Sequence, residues 1–233
     1  MKIRKYVFIP LLIFIILFTS CLSTKDISQE ETMKAINILQ DLTVNQAYST
    51  MMNTTLDELI FYPSTNPILF SEESEIPGLE SMLQEWDNTA RQCVKDSLDS
   101  ILSAIENYFQ KLTIDDPNAI TAENSPQTIT SLLQQQYNSE IETLIYNTLT
   151  QNMDLTSYTR IKKQYNAYLE TKAFIKSNPF EPYDYNIMDF LTPMLTSNIF
   201  KALKEAENYC RTTPLPYLDE TYVKVFHLEN QLY

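Results

Sequence analysis

Residues 125–149 have the sequence SPQTITSLLQQQYNSEIETLIYNTL. Apolar residues recur in this stretch at three- and four-residue steps, at Ile129, Leu132, Leu133, Tyr137, Ile141, Leu144, Ile145 and Leu149. This near-heptad spacing places one apolar stripe along a helix and is typical of a helix that packs in a bundle. Ser125 followed by Pro126 predicts where the helix begins, with a hydroxyl N-cap and a proline at the first helical position.

The stretches before this helix also have helical patterns. Ser28, Glu30 and Glu31 predict the start of a helix that continues to Leu42, and a second pattern covers residues 48–62. Residues 79–112 carry one apolar stripe, which predicts a long helix with a single face to bury.

Two helices are predicted after it. Asp154 is expected to cap one that ends before Pro179, and its inward residues are expected to be Tyr158, Ile161, Tyr165, Tyr168, Leu169 and Ile175. The last helix begins either with Thr192 as N-cap and Pro193 at the first position, or near Ile187 with a bend at Pro193.

Glycine is nearly absent, since Gly78 is the only one in 233 residues. No Asn-Gly or Asp-Gly pair occurs, so the usual turns of antiparallel β-hairpins are missing. The sequence therefore predicts an all-α fold, a single helical bundle domain of five or six helices over residues 29–233.

The same scarcity excludes several kinds of site. One glycine cannot form the glycine-rich loops that hold nucleotide phosphates. One histidine, His227, excludes the paired imidazoles of common zinc sites, and no EF-hand pattern is present. We expect no metal and no cofactor, and the sequence favours a protein that is not an enzyme.

Residues 1–20 are typical of a secretory signal, with a basic start followed by an apolar run of about thirteen residues, short for a membrane-spanning helix. Its end, Leu17-Phe18-Thr19-Ser20-Cys21, resembles a bacterial lipobox, which implies cleavage before Cys21 and lipidation of that cysteine. Residues 21–28 would then be a tether. An uncleaved anchor and an ordinary signal peptide are the alternatives. Leu22, where aspartate would imply inner-membrane retention, favours the outer membrane of the cell envelope.

The chain is strongly acidic, with 30 acidic and 17 basic residues and a formal net charge of −13. Binding of nucleic acid requires clustered lysine and arginine, and the densest basic stretches here fit ordinary exposed helix faces. We expect no nucleic acid partner.

The C-terminal quarter resembles an exported bacterial family catalogued as domain of unknown function forty-one ninety-seven. The residues that carry the resemblance are Asp189, Phe190, Leu191, Thr192, Phe200, Lys201, Glu205, Glu207, Arg211, Pro214, Lys224, Val225 and Phe226. The resemblance implies an all-helical periplasmic or membrane-attached domain, with no activity assigned.

Charged pairs on the last helix are the main candidates for a binding site. Lys201 with Glu205, and Glu207 with Arg211, are each four residues apart and would face each other across one helical turn. They are interpreted either as solvent-exposed ion pairs or, for Arg211, Glu205 and Lys201, as the edge of a cleft that holds a carboxylate or phosphate.

Two cysteines have alternative interpretations. Cys93 and Cys210 both lie on predicted helices, and an exported location permits a disulfide between them. The other interpretation is that they are two small apolar core residues.

The functional hypothesis is an envelope lipoprotein, held at the membrane through the lipid on Cys21. Its acidic, tyrosine-rich helical domain would bind an envelope protein, a peptide or a small ligand. The alternatives are a hydrolase of envelope glycan or lipid that uses paired carboxylates, and a structural spacer.

Overall fold

The computed structural model describes residues 27–54, 76–122, 125–213 and 218–228. Within these ranges every regular element is a helix, which confirms the predicted all-α class. Seven helices are present there: α1 Gln29–Asn53, α2 Leu79–Phe109, α3 Pro117–Thr121, α4 Ile129–Asn152, α5 Thr156–Lys176, α6 Met188–Thr212 and α7 Glu220–Val225. Five of the seven are long, and the short helices α3 and α7 bring the number above the predicted five or six. The prediction of a separate helix over residues 48–62 is wrong for its first part, because α1 continues through residues 48–53, and residues 55–62 lie outside the described residues.

The predicted start of α1 is confirmed and that of α4 is wrong. Ser28 forms a capping box with Glu31 at the start of α1. Helix α4 begins three residues later than expected, with Thr128 as its N-cap and Ser131 as the reciprocal partner. The Ser125 hydroxyl instead accepts a hydrogen bond from the backbone nitrogen of Gln127, and this bond stabilises the loop before α4.

The start of α5 differs from the prediction, and the start of α6 follows one of the two predicted alternatives. Asp154 accepts a hydrogen bond from the backbone nitrogen of Thr156 (2.9 Å), but the N-cap of α5 is Leu155. These hydrogen bonds from Thr156 lower the pKa of Asp154. Helix α6 follows the second alternative, beginning at Met188 with Pro193 inside it.

Helix α2 is the longest element and the others are arranged along it. Helix α4 runs antiparallel to its C-terminal half, since Asn152 Nδ2 donates to Ser97 Oγ (3.2 Å) while Gln136 bonds the backbone of Thr113 just past its end. Helix α5 continues along its N-terminal half. Gln164 there donates to the carbonyl of Pro77, directly before α2 begins.

Several helix termini lie near the C-terminal end of α2. Gln40 of α1 donates to the carbonyl of Phe109, the last residue of α2 (3.2 Å). Lys34 pairs with Asp219, the N-cap of α7 (2.8 Å). The first turns of α1, the end of α2, α7 and the end of α6 therefore lie together.

The core consists of the apolar faces of these helices, with Trp86, Tyr165, Tyr222 and Phe109 among its largest fully buried side chains. The inward assignments of Tyr158, Ile161 and Tyr165 on α5 are confirmed. The inward assignment of Ile175 is wrong, because this residue is 74% exposed. The apolar periodicity continues to the end of α5. The last turns of α5 extend past the N-terminus of α2, so they do not have α2 as a packing surface.

Candidate functional site

The charged residues predicted on α6 lie on two different faces. Lys201 and Glu205 are exposed, and among the described residues no ion pair joins them. Glu207 is 1% exposed and Arg211 is mostly buried, with a side chain that is 13% exposed. The interpretation of Glu207 and Arg211 as an exposed ion pair is therefore wrong.

Glu207 joins α6 to the start of α4. Its Oε1 accepts a hydrogen bond from the backbone nitrogen of Ile129 (3.0 Å), and its Oε2 accepts one from Thr130 (2.9 Å). These are the first two residues of α4, whose amides have no partner within the helix. A carboxylate there also opposes the positive end of the helix macrodipole.

Arg211 completes this cluster on the other side of the carboxylate. Its Nε donates to Glu207 Oε1 at 2.9 Å, and Nη2 lies 2.8 Å from the same oxygen. Nη1 donates to the carbonyl of Ile120 in α3 (2.6 Å). The guanidinium also lies 5.5 Å from the ring centroid of Phe226, directly after α7.

Glu207 and Arg211 thus connect four helices, α3, α4, α6 and the end of α7, through charge-assisted hydrogen bonds. Such bonds are stronger than neutral ones when the groups are withdrawn from water. The contacts of Arg211 are directed into the protein and give no support to a ligand role shared with Glu205 and Lys201, which remains a sequence-based prediction.

Cys93 and Cys210 are free thiols in the structure, so no disulfide joins them there. Cys93 is partly buried on α2 and Cys210 is fully buried on α6. Burial, followed by the nearby charge of Glu207, raises the pKa of Cys210 to about 11. The carbonyl of Cys210 accepts a hydrogen bond from the hydroxyl of Tyr222 (2.8 Å), whose pKa is also raised by burial.

A second buried ionic contact was not predicted from the sequence. Arg91 is 4% exposed on α2, and its Nε donates to Asp87 Oδ2 at 2.7 Å. The (i, i+4) spacing of an acid and an arginine was the available signal. What the spacing did not reveal is that this arginine lies on the buried side of the helix.

The segment between α5 and α6 folds back along α5 through a polar contact that was also missed. Asn166 accepts from the backbone nitrogen of Tyr183 (2.6 Å) and donates to its carbonyl (3.0 Å). Lys162 pairs with Asp184 (2.7 Å), and Tyr158 donates its hydroxyl to the carbonyl of Tyr185 (3.2 Å). Tyr183 of this segment also packs against Tyr165 of α5, with ring centroids 5.3 Å apart, whereas Tyr185 is 36% exposed.

A surface groove of about 480 Å³ lies between α4 and the first turns of α6. Glu142 and Tyr146 line it from α4, and Asp189 and Pro193 line it from α6. Asp189 accepts a hydrogen bond from Asn186 Nδ2 (2.8 Å). Two carboxylates thus share one groove, but nothing in their surroundings marks one of them as a general acid, and the hydrolase alternative stays a prediction.

Two other kinds of feature are absent from the described ranges. Those residues contain no group of three or more His, Cys, Asp and Glu side chains arranged to hold a metal ion. None of the helices described is both long and apolar enough to cross a bilayer. Cys21 and residues 1–20 lie outside the described residues.

Over the described residues this is an all-helical domain in which the buried pair Glu207 and Arg211 joins helices to one another. The chain belongs to the family described as Protein of unknown function (DUF4197), whose model matches residues 75–227. The predicted resemblance is therefore confirmed, and Glu207, Arg211 and Phe226, which carry part of it, meet in one cluster. Neither the curated proteins nor the solved structures contain a match to this chain.

Proposed function

We propose that this protein is a lipid-anchored envelope protein whose helical domain is a non-catalytic binding or structural module. The N-terminal sequence supports the anchor, since the basic start, the short apolar run and the cysteine at its end fit an export signal that is cleaved and acylated at Cys21. Acylation with more than one chain would hold the protein firmly on a membrane, whereas one chain gives only marginal binding.

The observation that carries the proposal is the short interval between Cys21 and the folded domain. Helix α1 begins at Gln29 with a complete capping box at Ser28, so its start is fixed by its own side chains. Six residues separate Ser28 from Cys21 in the sequence, and the seven steps of an extended chain between them span at most about 25 Å. The first helix therefore begins close to the membrane that the acyl chains enter.

The use of the charged residues supports a non-catalytic role. Glu207 and Arg211 bond helix termini and backbone carbonyls, and Arg91 bonds Asp87. A catalytic acid or base must instead lie within hydrogen-bond reach of a substrate. Glu207 and Arg211 thus connect different helices, whereas Arg91 and Asp87 pair within α2.

The anchor is tested by expressing the full chain and a Cys21→Ala variant, separating membranes from soluble material and measuring the intact mass of each product. We expect acyl mass and membrane association for the wild type, and loss of acylation and signal cleavage for the variant. Cys93→Ala is the matched control, because it removes a different cysteine and should leave acylation unchanged. A wild-type product that is cleaved, soluble and free of lipid would refute the proposed anchor.

A further inference from the structure

The end of α5 and the turn after it leave three large apolar side chains in water. Phe174 is 86% exposed, Ile175 is 74% exposed and Phe180 is 42% exposed. Lys172 and Lys176 lie beside them on the last turns of the helix. These five residues are called the α5 tip below. Exposed apolar groups clustered at one place are characteristic of a surface that contacts another apolar phase.

Among the described residues, the α5 tip lies beyond the N-terminal end of α2. Gln164 already lies beside Pro77, the last turn before α2 begins, and the remaining twelve residues of α5 continue beyond that point. The start of α1 is at the other end of α2, since Gln40 in the middle of α1 bonds Phe109 and Lys34, nearer its start, pairs with Asp219. Since α2 has 31 residues, the α5 tip and the start of α1 are separated by a distance on the order of 45 Å.

We propose that the α5 tip inserts into the surface of a phospholipid bilayer. Phe174 and Ile175 are consecutive helical residues, so they project about 100° apart around the helix axis. A flat protein surface covers only one side of such a projection, whereas a bilayer that the α5 tip enters surrounds all of it. The exposed apolar area is on the order of 400 Å², about half of what one partner contributes to a standard protein interface. A stable contact with a second copy of the chain would need more.

The net charge around the α5 tip is more compatible with a bilayer surface than the net charge of the rest of the chain. Lys172 and Lys176 balance the nearby Glu170 and Glu181, so the region is neutral in a chain of net charge −13. Lysines that flank buried apolar residues extend their stems along the apolar phase and place their amines at the headgroup phosphates. The acidic remainder of the domain is repelled by anionic lipids, which favours approach by this end.

The backbone at the α5 tip is also prepared for a medium with little water. Ser177 adopts the left-handed conformation (φ 54°), and the nitrogen of Asn178 donates to the carbonyl of Ala173 (3.0 Å). Ser177 also donates to Phe174 (3.2 Å), so two of the terminal carbonyls have partners. Pro179 and Pro182 in the following turn have no amide hydrogen to desolvate. Unpaired backbone groups would otherwise oppose transfer out of water.

The test uses the full chain reconstituted in vesicles of phosphatidylethanolamine and phosphatidylglycerol that contain a phospholipid with a diazirine on its acyl chain. After irradiation, digestion at glutamate releases the peptide 171–205, because the bond between Glu181 and Pro182 resists cleavage. Tandem mass spectrometry then locates lipid adducts within residues 171–181 and, separately, on the N-terminal peptide. We expect adducts on both peptides. This inference does not depend on acylation of Cys21, because the two peptides report the anchor and the α5 tip independently.

The variant Phe174→Asp with Ile175→Asp should lose the adducts on 171–181 and keep those on the N-terminal peptide. Both positions are exposed, so folding should not change, and circular dichroism checks this. Tyr209→Asp is the matched control, since Tyr209 is an exposed aromatic residue on α6 (41%) and its replacement should leave both adducts unchanged. An N-terminal peptide that is labelled while wild-type 171–181 is not would overturn the inference and direct the search to a protein partner for the α5 tip.

Discussion

Replacing Glu207 with alanine tests whether the buried cluster holds the helices together. The substitution removes the acceptor for the amides of Ile129 and Thr130 and leaves Arg211 without its carboxylate. It creates no steric conflict, because the new side chain is smaller. The effect on stability therefore comes from lost hydrogen bonds and from a charge that is left without its partner.

The expected loss can be estimated from comparable cases. Removing one partner of a buried ion pair costs about 3–5 kcal/mol, because the other charge remains withdrawn from water. Each amide left unsatisfied would add about 1–3 kcal/mol unless water reaches it. We take about 3–5 kcal/mol for Glu207→Ala, which lowers Tm by roughly 6–20 °C in a chain of this length.

The assay is urea unfolding of the wild type, Glu207→Ala, Arg211→Ala and the double variant, followed by circular dichroism. The double variant should be destabilised by less than the sum of the two single variants, with a coupling of about 1–3 kcal/mol. Glu205→Ala is the matched control, since Glu205 is an exposed glutamate on the same helix and its loss should change stability by at most about 0.5 kcal/mol.

Equal effects of Glu207→Ala and Glu205→Ala would refute the reasoning, since the two residues are the same amino acid on one helix and differ in burial and contacts. Additive effects of Glu207→Ala and Arg211→Ala would show that the two residues act independently. Glu207→Gln adds a further check. The amide oxygen can still accept one of the two backbone hydrogens, so its cost should lie between zero and that of the alanine variant.

Two further predictions concern thiols and acid. At neutral pH Cys210 should resist alkylation until the protein is unfolded, because its thiol is buried and a pKa of about 11 leaves almost no thiolate, while Cys93 should react first. Peptide mapping before and after addition of urea measures the two alkylation rates. Equal rates in the folded protein would contradict the prediction. The hydrogen bond and the charge of Lys162 lower the pKa of Asp184, so this pair stabilises the folded protein above the ordinary carboxyl range and loses its effect as pH falls through the lowered value. Asp184→Asn should therefore lower Tm at neutral pH and leave it unchanged at the acid end. The effect at neutral pH should be small because Asp184 is 88% exposed. A change in Tm that does not depend on pH would refute a stabilising pair of Lys162 and Asp184.

The helices could be predicted from the sequence because each contains its own periodic apolar stripe and local capping residues. Ser28 and Glu31 form the predicted cap of α1, and the stripes of α2 and α4 are buried as expected. The errors occur where local signals compete. Both Ser125 and Thr128 are suitable N-caps, and Thr128 starts α4 because Ser131 completes a capping box with it.

The candidate site was less predictable because burial is a tertiary property. The spacing of Glu207 and Arg211 suggested a contact across one helical turn, and the same spacing was assigned to Lys201 and Glu205. Only the packing of α4 against α6 distinguishes them, since it places the amides of Ile129 and Thr130 on one side of α6. Ile175 shows the same limit, because an apolar stripe does not reveal where the neighbouring helix ends.

The proposed anchor and the α5 tip together restrict how the molecule can meet a membrane. The tether from Cys21 to Ser28 spans at most about 25 Å, whereas the α5 tip lies on the order of 45 Å from the start of α1. If both enter the same bilayer, α2 must lie along its surface, since an upright domain would hold the α5 tip too far away. If α2 stands upright, the α5 tip can only reach a second membrane. Vesicles that aggregate with the wild type and not with Phe174→Asp would show the upright arrangement, and labelling of both peptides without aggregation would show the flat one.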